Sequence, residues 1–238
     1  MRAARKLRLR QISLPINTWR MAETPAILKR VRVDSSLGDI KKWKRIGRKS
    51  AVTFFKTPSG VNVAVRPELG ITRAGATIAM HKNNPRQRRT FNALKELLRR
   101  GVRIETPLGE LVTSEGIVCC VTKMEDGVTL NEFLNQTKPK KQQVLNVAKS
   151  MAQELANIHK KGVLHNHPHD GNWLIHNGKA TLIDPKQVTF REEYPWHTKF
   201  GNTYTFEQLA KQEADSAKTW LPKYAQERFV QEYEKHFA

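Results

Sequence analysis

The 238-residue chain has a globular composition, with 39% hydrophobic and 27% charged residues, which excludes a wholly disordered protein. No apolar run reaches the roughly 20 residues of a membrane-spanning helix, and the basic N-terminus lacks the apolar core of a secretory signal. Cys119 and Cys120 are expected to be buried free thiols, because adjacent cysteines rarely bridge. These features predict a cytoplasmic protein.

The formal net charge of +20 is distributed unevenly along the chain. Residues 1–106 hold 26 Lys and Arg against 6 Asp and Glu, whereas residues 107–238 hold 16 of each. An excess of this size indicates a polyanionic partner: an anionic membrane surface, a phosphorylated glycolipid or nucleic acid. The alternative is a solvated surface that keeps the protein soluble.

In chain order, residues 1–35 are interpreted as a basic N-terminal extension. From Asp39 the pattern is typical of strands, with alternating valines at 61, 63 and 65 after a turn at residues 57–60. Leucines at helical spacing predict one helix over residues 85–100. Residues 111–121 predict a further hairpin.

The second half of the chain is predicted to be mainly helical. Apolar residues at i, i+3 and i+4 spacing predict a long amphipathic helix over residues 144–158, ending near Gly162. A loop over residues 164–171 follows. The next residues predict a hairpin, 173–175 with 181–183, because the pair Asn177-Gly178 supplies the two positive φ angles of a type I′ turn.

Two oxygen-bearing side chains flank this predicted hairpin. Asn172 precedes it and Asp184 follows it. A hairpin returns the chain beside itself, so both side chains are expected to converge on one ion, and amide and carboxylate oxygens are suitable ligands for Mg²⁺. The sequence therefore predicts a magnesium site here, although such pairs also occur as ordinary turn residues.

The stretch from Leu164 to Ile175, LHNHPHDGNWLI, and the later Leu182-Ile183-Asp184 resemble the catalytic loop and metal-binding segment of the protein-kinase superfamily. Small bacterial branches of that superfamily read H-G-D-P-H-x-G-N-F-x-I and then I-I-D. Among those branches, the stretch resembles that of the lipopolysaccharide core heptose kinases and the Kdo kinases. Weaker likenesses upstream extend the resemblance over about residues 40–190.

The resemblance implies an α+β, two-lobed protein-kinase-like fold that binds ATP and Mg²⁺ between its lobes. The N-lobe, residues 36–126, would hold an antiparallel sheet and one helix; the C-lobe, residues 127–238, would be short and mainly helical. Residues 46–52 resemble a shortened phosphate-binding loop, residues 63–66 the V-A-I-K strand, and residues 124–127 the hinge. The implied nucleotide-binding residues are Gly47, Lys49, Ser50, Arg66 and Glu125.

The chain departs from the family pattern at three positions. The catalytic Asp falls at His167, the strand Lys at Arg66, and the helix Glu near Thr90. Arg66 still supplies a fixed cation for phosphate. His167 is a candidate to orient or deprotonate a sugar hydroxyl, and Asp170 is the nearest carboxylate that can replace it.

These residues predict an ATP-dependent phosphotransferase acting on a sugar or glycolipid such as lipopolysaccharide core, because no A-P-E motif for a peptide-docking lobe follows Asp184. Such an enzyme is expected to associate peripherally with the inner membrane. One alternative is a pseudokinase, which binds nucleotide and uses its basic lobe to dock or to bind nucleic acid. Another is a zinc hydrolase built on His165, His167, His169 and Asp170. The simplest interpretation of His165 and His169 is that they brace the loop through bonds to the backbone.

Overall fold

The structure, a computed structural model, describes residues 30–33, 42, 44–49, 52–67, 69–71, 77–79, 90–112, 118–185, 187–193, 198–199 and 202–237. It is an α+β chain with an antiparallel sheet first and a mainly helical C-terminal part. The chain divides into two compact units, residues 1–87 with 108–122, and residues 88–107 with 123–238. The second unit thus includes residues 88–107, which were predicted to belong to the N-lobe.

The first unit is built on a six-stranded sheet with the order β1-β7-β8-β4-β3-β2. Strands β5 and β6 form a separate hairpin. In chain order the eight strands are β1 Arg30–Val33, β2 Lys44–Lys49, β3 Val52–Lys56, β4 Asn62–Pro67, β5 Leu69–Ile71, β6 Thr77–Ala79, β7 Pro107–Val112 and β8 Val118–Lys123.

The centre of the sheet follows the predicted pattern. A tight turn joins β3 to β4, in which the backbone N–H of Thr57 donates to the carbonyl of Val61 at 2.9 Å. Val63 and Val65 are buried on β4, whose flanking strands cover it on both edges. The prediction for the cysteines is confirmed, since Cys119 and Cys120 are buried free thiols on β8.

Strand β1 lies inside the segment that the sequence analysis interpreted as an extension. It pairs antiparallel with β7, with Arg30 opposite Val112 and Val33 opposite Gly109. Its sequence, Arg-Val-Arg-Val, alternates with the period of two that is typical of a strand. The remainder of the predicted extension lies outside the described residues.

The second unit contains all five helices of the described chain and seven short strands. In chain order these are α1 Thr90–Arg99, β9 Val128–Thr129, α2 Leu130–Gln136, α3 Lys141–Lys160, β10 Val163–Leu164, β11 Trp173–His176, β12 Lys179–Leu182, β13 Thr189–Phe190, β14 Thr198–Lys199, β15 Asn202–Thr203, α4 Phe206–Lys218 and α5 Lys223–Phe237.

Helix α3 is the core of this unit. The predicted apolar stripe is buried along its length, with Met151 and Leu155 fully enclosed, and α3 packs against α5 on one side and β12 on another. Only Leu145 of the predicted stripe is partly exposed. Capping boxes begin two other helices, Thr129 with Glu132 at α2 and Thr205 with Gln208 at α4, each of which satisfies otherwise orphaned N–H groups.

The predicted hairpin is confirmed in detail. Strands β11 and β12 pair antiparallel from Trp173 opposite Leu182 to His176 opposite Lys179. The connecting residues Asn177 and Gly178 have φ of +49° and +72°, as a type I′ turn requires. Among the helices that the structure describes, none is both long and apolar enough to cross a membrane.

Candidate functional site: the histidine loop and the β11–β12 hairpin

The histidine loop, residues 165–171, connects β10 to β11 and ends in a 3₁₀ turn, Asp170–Asn172. Its first turn is anchored by Asn166, which has a φ of +63°, a left-handed conformation that Asn tolerates better than most residues. The Asn166 side-chain amide donates to the carbonyl of Gln187 at 2.6 Å and to the hydroxyl of Thr189 at 2.9 Å. These bonds tie the loop to the segment around β13.

His165 is a structural residue of the loop. Its ring is 2% exposed, and Nε2 lies 3.0 Å from the carbonyl oxygen of Ile183, so Nε2 carries the proton and donates. Burial lowers the pKa of His165, which keeps the imidazole neutral. The ring thereby joins the start of the loop to the residue before Asp184.

The His169 ring also braces the loop through a bond to the backbone, as predicted. Its Nδ1 accepts the backbone N–H of Gly171 at 3.0 Å. Nδ1 lies 3.6 Å from a carboxylate oxygen of Asp170, but a nitrogen that accepts a hydrogen bond holds no proton to share with that oxygen. Among the residues that the structure describes, no group of three or more His, Cys, Asp or Glu side chains is placed to hold a metal ion.

Asn172 is fixed at the start of the hairpin. Its side-chain amide nitrogen donates to the carbonyl of His167 at 2.9 Å. The side-chain oxygen Oδ1 is therefore the atom of Asn172 that can bind a metal ion. Its backbone carbonyl accepts the N–H of Ile183 at 2.8 Å. The predicted return of the chain therefore occurs, and Asn172 lies beside the residue that precedes Asp184.

Asp184 follows the hairpin in a strained backbone conformation. Its φ is +62°, which costs a non-glycine residue on the order of 1–3 kcal/mol unless neighbouring structure holds it. Its backbone N–H points to Oε1 of Glu105 at 3.4 Å, and Glu105 is itself buried, with 2% exposure. Non-glycine residues in this region of backbone space are concentrated at ligand clamps and active sites.

The side chains of Asn172 and Asp184 fit a magnesium–nucleotide complex by their donor atoms. Magnesium takes oxygen ligands, commonly one or two from side chains with the remainder from waters and substrate phosphates. An amide oxygen and a carboxylate match that description. A structural zinc site needs four ligands, usually nitrogen or sulfur, and the described residues contain no group of even three His, Cys, Asp or Glu side chains placed to hold a metal ion.

His167 and Asp170 lie at the exposed side of the loop. The His167 side chain is exposed, and its ring meets that of His169 edge to face at a centroid distance of 4.5 Å. Asp170 is held by Asn131 of α2, whose side-chain amide donates to Oδ2 at 2.7 Å. The structure thus places His167, which the resemblance aligns with the catalytic Asp of the kinase superfamily, near the surface, and ties the nearest carboxylate to another element.

Glu213 of α4, which is not among the predicted site residues, supports the histidine loop. The carboxylate is buried, with 8% exposure, and accepts the backbone N–H of His165 at 3.1 Å and of Asn166 at 2.9 Å. A carboxylate on the otherwise apolar face of α4 was the available signal, because Ala210, Ala214 and Ala217 occupy that buried face.

A buried chain of polar groups continues behind Glu213. The His159 ring of α3 is completely buried, with Nε2 at 3.2 Å from Oε2 of Glu213 and Nδ1 at 2.7 Å from the hydroxyl of Tyr233 on α5. Burial raises the pKa of the Tyr233 phenol, with the nearby carboxylates adding to the shift, so the hydroxyl remains protonated and donates to Nδ1. Helices α3, α4 and α5 therefore cooperate to hold one loop.

The other predicted nucleotide-binding residues are distributed as follows. Gly47 and Lys49 lie on β2, where Lys49 pairs with Val52 of β3, so this part of the predicted phosphate-binding loop is a strand. A register shift between Arg45 and Gly47 interrupts its ladder. Arg66 lies on β4 and is buried, with 8% exposure. Ser50 lies outside the described residues. Glu125 follows β8 in the second unit, in the irregular segment before β9.

No protein-family model matches the chain, and a search of curated proteins finds no match either.

Proposed function

We propose that the chain is an ATP-dependent phosphotransferase of the kinase-like superfamily, with a two-lobed kinase-like fold and a sugar or glycolipid acceptor such as lipopolysaccharide core. The observation that supports this proposal most is the placement of Asn172. Its carbonyl is bonded to the residue before Asp184 at 2.8 Å, and its side chain is bonded to the loop that carries His167 at 2.9 Å. One short stretch thus combines two oxygen ligands with a candidate base.

In the proposed reaction an acceptor hydroxyl oxygen forms a bond to the γ-phosphorus of ATP, and the bond from that phosphorus to the oxygen of the leaving ADP breaks. The hydroxyl proton passes to a base, for which His167 is the candidate because an imidazole titrates near neutral pH. Magnesium, when bound, would neutralise charge on the phosphates. The roles of the protein are to hold Asn172 and Asp184 in place and to keep His167 on the exposed side of the loop.

The test of the metal site is Asp184→Asn. Asparagine tolerates the same left-handed backbone conformation but removes the charge. We expect Mg²⁺-dependent ATP affinity, measured by isothermal titration calorimetry with and without Mg²⁺, to fall at least tenfold while the thermal midpoint is kept. Asp215→Asn, at an exposed position of α4 in the same unit, is the matched control. Unchanged affinity in Asp184→Asn would overturn the assignment.

The pseudokinase alternative is favoured by the surroundings of the candidate base. His167 occupies the position of the family's catalytic carboxylate, and the nearest carboxylate, Asp170, is hydrogen-bonded to Asn131. The distinguishing experiment is transfer of labelled γ-phosphate to lipopolysaccharide core, to a generic protein, and in the absence of acceptor. A weakened kinase should gain rate in His167→Asp and lose it in His167→Ala. Nucleotide binding without transfer in any of these forms would favour the pseudokinase.

A further inference from the structure

An open groove of about 510 Å³ lies beside the histidine loop, within the range of small-ligand sites. Its walls are α2, the segment between α2 and α3, and the turn between α4 and α5. Asp170 contributes to its lining, and Asn131, which binds Asp170, is another lining residue. The groove and the histidine loop therefore share a side chain.

Two aromatic rings are presented to solvent at this groove. Trp220 is 42% exposed and Tyr224 is 46% exposed. The turn that carries Trp220 is nevertheless firmly built, because the carbonyl of Leu221 accepts the side-chain amide of Gln226 at 2.9 Å and its N–H donates to Lys218 at 3.0 Å. Exposed aromatic rings on a fixed turn contribute little to the core and are suited to binding a ligand.

A row of rings connects the groove to the candidate base. The His167 ring contacts that of His169 at a centroid distance of 4.5 Å, and the His169 ring meets that of Trp220 at 6.3 Å. A molecule lying on Trp220 is therefore two ring contacts from His167. A base must lie within about 3 Å of the hydroxyl that it deprotonates, so an acceptor on Trp220 reaches His167 only through a part that extends past the His169 ring.

The polar residues of the groove are matched to hydroxyl groups and to an anion. The amides of Asn131 and Asn135 and the carboxylate of Asp170 offer donors and acceptors to hydroxyls. Lys138 lines the groove with a φ of +46°, and Nζ of Lys141 lies 5.5 Å from the centre of the Tyr224 ring. The ammonium groups of Lys138, in the lining, and of Lys141, over the Tyr224 ring, favour a phosphate or carboxylate substituent on the ligand.

We propose that this groove, centred on Trp220 and Tyr224, is the acceptor subsite, and that it binds the sugar part of the acceptor, a hydroxyl-rich ring carrying an anionic group. The inference rests on the proposed phosphotransferase function and specifies its substrate class. The aromatic faces stack on the apolar face of the sugar ring, the amides and Asp170 bond its hydroxyls, and Lys138 pairs with its anionic group.

The test measures binding of the core oligosaccharide released from bacterial lipopolysaccharide by mild acid, in its phosphorylated and enzymatically dephosphorylated forms. Calorimetry at near-physiological salt is used, since general charge attraction is then partly screened. Trp220→Ala should weaken binding at least tenfold, and Trp220→Phe should retain most of it. Lys138→Ala should weaken binding of the phosphorylated form several-fold and leave the dephosphorylated form unchanged.

Two matched controls exclude general surface effects. Leu98→Ala removes an apolar side chain that is 41% exposed elsewhere in the unit, and Lys179→Ala removes an exposed lysine at the tip of the β11–β12 hairpin. Neither should change oligosaccharide affinity. Thermal midpoints of all variants, compared with that of the parent protein, confirm that the fold is kept.

The outcomes separate this inference from the proposed function. If the parent protein binds Mg²⁺-ATP but binds no oligosaccharide, or binds it equally well as Trp220→Ala, the groove inference is overturned while the phosphotransferase proposal stands. If oligosaccharide binding depends on Trp220 but Mg²⁺-ATP does not bind, the groove is a sugar site and the phosphotransferase proposal fails. A phosphopeptide that binds more tightly, with the same dependence on Trp220, would replace the sugar by a protein partner.

Discussion

Replacement of Glu213 should have two effects: it should loosen the histidine loop and destabilise the second unit. Its carboxylate accepts two backbone N–H groups of the loop, at 3.1 and 2.9 Å, and lies 3.2 Å from Nε2 of His159. Hydrogen bonds to a charged group contribute about 1.5–3 kcal/mol each, and a buried donor left without a partner costs about 1–3 kcal/mol. The three terms overlap, so we expect Glu213→Ala to cost about 3–5 kcal/mol.

The variant Glu213→Gln keeps the side-chain volume but removes the charge and one acceptor oxygen, so it separates the effect of the hydrogen bonds from the effect of lost volume. A glutamine side chain at this position would keep one acceptor oxygen but turn an NH₂ group toward a donor N–H, so at least one of the three bonds is lost and we expect a cost of about 2 kcal/mol. In a chain of this size 1 kcal/mol corresponds to roughly 2–4 °C in the thermal midpoint. Glu213→Ala should therefore lower the thermal midpoint by roughly 6–20 °C, and the midpoint of Glu213→Gln should lie between those of the parent protein and Glu213→Ala.

The assay is thermal unfolding followed by circular dichroism, combined with Mg²⁺-ATP titration at a temperature where every variant is folded. Glu207→Gln on the same helix is the control, since its bond to Arg191 is on the surface, with both side chains about half exposed, and such pairs contribute about 0–1 kcal/mol. If Glu213→Ala and Glu207→Gln had the same midpoint, the loop would not depend on Glu213. A lowered midpoint with unchanged nucleotide affinity would show that the loop is held without it.

Three further outcomes are expected. Burial raises the pKa of the Glu154 carboxyl from 4.5 to about 7. The contribution of this group to stability is therefore favourable below pH 4.5 and is lost as the pH rises toward 7. Glu154→Gln should raise the thermal midpoint at pH 8 but not at pH 4.5, whereas Glu227→Gln, at an exposed position, should not raise it at pH 8. Gly127→Ala should cost about 1–3 kcal/mol more in urea unfolding than Gly178→Ala, because its added Cβ would lie 2.7 Å from a carbonyl oxygen of β11, whereas the Cβ at Gly178 meets nothing within 4 Å. Removal of residues 1–12 should weaken sedimentation with anionic vesicles, each basic residue contributing on the order of 1 kcal/mol; tighter binding to duplex DNA or RNA at matched salt would instead favour a nucleic-acid partner.

Much of the local structure was predictable from periodicity and turn chemistry. The apolar stripe of α3 and the Asn177-Gly178 turn each specify an element through residues that are close in sequence. The hairpin in turn brings Asn172 next to Ile183, so the approach of two candidate ligands followed from the short chain between them. The alternation in Arg30–Val33 was also present, but a four-residue pattern in a basic segment does not reveal that β7 lies beside it.

The residues that support and extend the site were decided by tertiary packing. Glu213 lies 47 positions from Asn166 in the chain, and the contact exists only because α4 packs close to the loop with a buried carboxylate facing it. The groove has the same origin: Asp170 and Trp220 are 50 positions apart in the chain but line one groove, and neither residue has a local pattern that indicates the other. The sequence by itself determined which segments form helices, hairpins and the loop with its candidate chemistry. The tertiary structure alone decided which distant side chains satisfy the buried N–H groups of that loop, since a buried donor takes whichever acceptor the packing brings within reach.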